Sequence, residues 1–116
     1  MQTHKDLVVW KRSIAFTTII YNISQGFPHE ELFGLTSQIR RAASSIPMNI
    51  AEGYGRGSKN EVLHFLSIAS GSASEVDTQV IIARNLGYIT EEQSNQLGQE
   101  INEIRMMLAS LRKSLA

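Results

Sequence analysis

Apolar positions recur at steps of three and four along four stretches of the chain, and no stretch alternates convincingly at a step of two. The pattern therefore predicts helices and no strands. The last stretch is the most regular: Leu97, Ile101, Ile104, Leu108, Leu111 and Leu115 keep one helical face against its neighbours. The third carries Val62, Leu66, Ala69, Ala73, Val76, Val80 and Ala83 in the same rhythm. In the second, Leu35, Ile39, Ala42, Ile46 and Ile50 share a side, and Pro47 falls among them. Proline has no amide hydrogen and its ring meets the carbonyl of Ala43, so a kink or a restart is expected there.

Glycine, proline and capping residues separate these stretches. Gly26-Phe27-Pro28 closes the first, and Gly53-Tyr54-Gly55-Arg56-Gly57 reads as the turn after the second. Ser58-x-x-Glu61 and Thr90-x-x-Gln93 have the spacing of capping boxes, in which each side chain satisfies the other residue's backbone amide. Gly87 caps the third helix, and the small residues Ser70-Gly71-Ser72-Ala73-Ser74 within it predict a tight helix crossing. Short connections force sequential helices to run antiparallel. The expected fold is all-α: one domain over residues 1–116, an antiparallel up-down-up-down four-helix bundle with helices at about 4–25, 34–53, 58–86 and 90–115.

The first helix carries more apolar surface than such a bundle covers. Leu7, Trp10, Ile14 and Tyr21 form one stripe, and Val9, Phe16, Ile20 and Ile23 form a second about 120° around the axis. Val8 and Ile19 fall on a third. In a chain of 116 residues the extra cover is most simply another copy, so a homo-oligomer is expected.

Composition narrows the chemistry. There is no cysteine, which excludes disulfides, thiol catalysis and thiolate metal sites. Eleven basic residues balance eleven acidic ones, so any nucleic-acid site must be a local patch. No apolar run reaches the roughly 18 residues of a membrane span. The run Leu7-Val8-Val9-Trp10 is closed at once by Lys11 and Arg12, so no signal peptide is read and a soluble, cytoplasmic protein is expected. The glycine-rich stretch before Ser58 follows a helix instead of a strand and lacks the Gly-Lys-Ser/Thr ending of a phosphate loop. Glu61 and His64 have the Glu-x-x-His spacing of di-iron bundles without a second pair, and no serine sits in a nucleophile motif. No enzyme, cofactor or metal is expected. The candidate site is basic: Arg40, Arg41, Arg56 and Lys59 as phosphate contacts, with Tyr54 for stacking. Against this stands the reading that these cations are a solvated face, or pair with Glu30, Glu31 and Glu52 across helices or subunits.

Asp6-Leu7-Val8-Val9-Trp10, the long segment from Phe33 to Gly53 (FGLTSQIRRAASSIPMNIAEG) and Leu86-Gly87-Tyr88-Ile89 closely resemble the four-helix bundle proteins encoded in bacterial 23S rRNA intervening sequences. The resemblance implies a bundle that assembles into a pentameric ring. It also implies kinship with the accessory proteins of diversity-generating retroelements, which bind RNA and a reverse transcriptase. Arg40 and Arg41 are the matching basic positions, although this chain has no net charge where the retroelement proteins are strongly basic. The expected function is thus a non-enzymatic oligomer that binds RNA or a nucleoprotein. The alternative is a protein-interaction scaffold without nucleic-acid binding.

Overall fold

Four helices account for most of the chain: α1 (Val8–Ser24), α2 (Leu35–Arg56), α3 (Lys59–Asn85) and α4 (Glu91–Leu115). Single 3-10 turns at His4–Asp6 and His29–Glu31 precede α1 and α2. In this computed structural model residues 3–116 are described, so Met1 and Gln2 of the expected domain lie outside the described residues. Each helix packs beside the next, α4 returns to α1, and the backbones of the two diagonal pairs stay further apart. The order of contacts makes neighbours antiparallel: Ser24 meets Arg40, Ser45 meets Ser72, and Arg84 meets Glu91. No helix among the described residues is long and apolar enough to cross a membrane.

The core is the set of stripes read from the spacing. Phe16 and Ile20, Ile39, Ile46 and Ile50, Leu66, Val76 and Val80, and Ile101, Ile104 and Leu108 are all shut off from solvent. On α1 the Val9, Phe16 and Ile20 stripe turns inward, joined by Ser13 and Ser24. Of the other stripe, Ile14 and Tyr21 are exposed, as are Val8 and Ile19 of the third.

The ends of the elements differ from expectation in physically simple ways. The helix expected from residue 4 begins at Val8, because Leu7 is extended (φ −77°, ψ 130°) and separates a 3-10 turn capped by Thr3 and Asp6. The second helix continues through Gly53, Tyr54 and Gly55 to Arg56. The expected turn therefore shrinks to Gly57 and Ser58, with Gly57 left-handed at φ 82°. Gly87, at φ 78°, closes α3, and the amide of Tyr88 donates to the Ala83 carbonyl at 2.9 Å. The Thr90–Gln93 capping box is complete, at 3.0 and 2.9 Å. Of the Ser58–Glu61 box only the serine half forms.

Pro47 lies inside α2 without a restart. The carbonyl it deprives of a helical partner, that of Ala43, is met from α1: the Thr17 hydroxyl lies 3.1 Å away while also donating to Ser13 O at 2.7 Å. On the far side Asn49 Nδ2 donates to both the carbonyl and the hydroxyl of Ser45 at 2.8 Å.

The close crossing of α2 and α3 exists, but not at Gly71. Gly71 faces open space, with nothing within 4 Å of where a Cβ would stand. The helices meet through buried Ala69, Ser72 and Ala73 and, at one end, through Gly53, where a Cβ would fall 2.9 Å from Phe65 Cβ and 3.2 Å from Val62 Cα. The two glycines should respond oppositely to alanine. Gly53→Ala forces the helices apart and is expected to destabilise by about 1–3 kcal/mol. Gly71→Ala relieves a helix-interior glycine and is expected to stabilise by about 0.5–1 kcal/mol, both read from chemical denaturation midpoints.

Candidate functional site on the α1–α2 face

The outward side of α1 leaves a groove against α2. Thr17 and Ser44 are short, and Pro47 presents a ring without a donor, so the helices meet at depth while Trp10, Ile14 and Met48 form higher walls. The groove holds about 380 Å³, and no charged residue lines it. Toward the α1–α2 connection it gives way to a second depression of about 420 Å³, where Tyr21, Leu32 and Phe33 stand beside Arg40 and Arg41. Phe33 is 91% exposed and Met48 67%.

The five candidate nucleic-acid residues do not converge. Arg40 is turned back onto α1: Nε donates to Ser24 Oγ at 2.7 Å, Nη2 donates to Tyr21 O at 3.2 Å, and the guanidinium lies 4.8 Å over the Tyr21 ring. It thereby supplies the positive cap that α1 lacks in its own last turn. Arg56 pairs with Glu52 at 3.0 Å and covers the Phe65 ring at 5.0 Å. Tyr54 is half-buried against the core, and burial raises its hydroxyl pKa. Arg41 and Lys59 are exposed and form no ion pair among the described residues. Sixteen helical residues separate Arg40 from Arg56, about 24 Å along α2, so the basic residues divide between two ends. Arg56 pairs with Glu52 within α2 and not across helices, and Glu31 is engaged with Leu35 and Tyr88. His64 is exposed and meets the Phe65 ring edge-on, 5.1 Å between centroids, and no group of His, Asp or Glu that could hold a metal occurs among the described residues.

A model of the 23S rRNA-intervening sequence protein family matches residues 5–110. The chain belongs to that family. A solved relative is the crystal structure of a protein with unknown function from the S23 ribosomal protein family of Bacteroides thetaiotaomicron VPI-5482. It shares 30% identity and a TM-score of 0.85, covering 91% of this chain and 96% of that one. No curated protein matches. The groove, Phe33 and all five candidate basic and aromatic residues fall within the span of the 23S rRNA-intervening sequence family match.

Two ionic arrangements that local spacing does not reveal hold this face in place. Arg12 bridges α1 to α4, with Nε on Glu100 Oε2 at 3.0 Å and Nη2 on both Glu100 and Glu103. These hydrogen bonds hold its pKa further above the usual arginine value. Glu31 fixes the connection that carries Phe33. One carboxylate oxygen accepts from the Leu35 amide at 3.1 Å, capping α2, and the other accepts from the Tyr88 hydroxyl at 2.8 Å. The Leu35 amide first and the Tyr88 hydroxyl second hold the Glu31 carboxyl below its ordinary pKa, and the Tyr88 hydroxyl is raised chiefly by the same carboxylate. A carboxyl whose folded pKa is depressed contributes stability above its unfolded pKa and loses it as pH falls through the folded value. The wild type should therefore lose stability more steeply than Glu31→Gln below the ordinary carboxylate range, while Glu31→Gln should be the less stable of the two at neutral pH. Thermal denaturation across the acid range measures both.

Proposed function

We propose that this protein is a non-enzymatic subunit of a homo-oligomer, assembled through the α1–α2 face. The observation that supports this reading is the apolar groove bordered by exposed Ile14 and Met48, with Tyr21 and Phe33 further along the same face. An open apolar surface of this kind costs solubility unless a partner covers it. The cover that every molecule carries with it is another copy. Closed rings are a common form of such assemblies, and the family resemblance favours five subunits.

A second reading, that the assembly is an accessory to RNA or to a nucleoprotein such as a reverse transcriptase, draws on Arg41 and Lys59. Both are exposed and unpaired among the described residues, and an oligomer repeats them around its axis. If RNA does not bind, the function reduces to that of a protein-interaction scaffold.

Light scattering at micromolar concentration should give a whole multiple of the 12.9 kDa chain mass, and a monomer mass would contradict the proposal. In gel shifts at low salt, Arg41→Ala combined with Lys59→Ala should weaken RNA binding and flatten its salt dependence. Absence of any shift removes the RNA reading. Arg40→Ala should instead lower folding stability by about 1–2 kcal/mol, because Arg40 is bonded to α1.

A further inference from the structure

We propose that the α1–α2 groove of one copy is filled by Phe33 of the next, in a head-to-tail contact. This rests on the oligomer reading and names the contact that produces it.

Phe33 is the most exposed large apolar side chain described, at 91%, and its connection is held firmly. The Glu31 carboxylate ties it to Leu35 and Tyr88, and the Gly34 amide donates to Glu31 O at 2.9 Å. A side chain presented on a fixed backbone loses little entropy when it docks. Phe33 does not reach its own groove, because it precedes α2 and the wall at Pro47 lies about 18 Å beyond the helix start at Leu35. The groove, at about 380 Å³ with Trp10, Ile14, Pro47 and Met48 around it, has room for a benzyl group.

Charge selects the same pairing. Lys11 lies three residues before Ile14 and seven before Thr18, on the groove side of α1, and is exposed without an ion pair. Glu30 is likewise exposed and unpaired, three residues before Phe33. Seating Phe33 in the neighbour's groove brings Glu30 toward that neighbour's Lys11.

Charge also decides the symmetry. Between the projecting Phe33 and the groove lies the depression lined by Arg40 and Arg41, which no carboxylate lines. A two-fold pairing that filled both grooves at once would lay this basic stretch on its own copy, setting like charges together. A head-to-tail contact avoids that, leaves one Phe33 and one groove free at every step, and is completed only by closing a ring.

The chain contains no cysteine, so engineered disulfides report the contact without background. In the double variant Lys11→Cys, Glu30→Cys, which keeps Phe33 and the groove walls, oxidation should produce a ladder on non-reducing gels that runs past the covalent dimer. Phe33→Ala, an exposed change that leaves helical circular dichroism intact, should raise the concentration for half-dissociation at least about tenfold. Lys11→Glu and Glu30→Lys should each weaken assembly, and together restore it. A wild-type chain that is monomeric defeats the oligomer reading and this contact with it. An oligomeric wild type with no inter-copy disulfide and an unweakened Phe33→Ala defeats this contact alone. A disulfide product that stops at the dimer overturns the head-to-tail arrangement.

Discussion

The structure depends on how closely α2 and α3 approach. Their contact is made of small residues, with Gly53 against Val62 and Phe65 at one end, Ala69, Ser72 and Ala73 further along, and the Ser45 and Ser72 hydroxyls 2.7 Å apart between them. Backbones that approach this closely make a stiff pair, because no long side chain between them can change rotamer. The other two helices attach to the outer edges of this pair, α1 on α2 and α4 on α3. Where α1 meets α4 the thin contact is supported by Arg12 on Glu100 and Glu103.

The exposed face of α1 follows from that arrangement. A helix at the edge of a stiff pair buries one stripe, and α1 has apolar residues on more than one. Pro47 adds to the effect. It leaves the Ala43 carbonyl without a helical donor, and the Thr17 hydroxyl of α1 lies 3.1 Å from that carbonyl at the floor of the groove. The proline that costs α2 a hydrogen bond thus contributes a wall of the surface on which assembly is proposed. The same economy places Arg40, which closes the end of α1 and leaves Arg41 beside it exposed.

Much of the fold was legible in the sequence because it rests on period and local capping. The 3.6-residue stripes and the Thr90 box depend on neighbours within a turn or two. What was misread depended on distant partners or on how far a helix could be extended. Glycines at 53 and 55 suggest a loop, yet α2 runs through both to Arg56, with Gly53 packed against α3 and Gly55 facing open space. Gly71 lay amid small residues but one step off the buried side. The grouping of Arg40, Arg41, Arg56 and Lys59 by sequence proximity ignored helix length, which sets the two pairs about 24 Å apart. Glu31 and Tyr88 are 57 residues apart, and nothing local connects them. Phe33 was legible as part of the helix start and not as the side chain left outside.

The proposed assembly covers the α1–α2 groove in the native protein. Trp10 is the only tryptophan in the sequence; it is half-buried against the core and also stands in the groove wall, so a change in its quenching on assembly reports that surface. Acrylamide quenching should be weaker in the wild type at micromolar concentration than on dilution or in Phe33→Ala. Quenching that does not change with concentration and is the same in both proteins would contradict that cover.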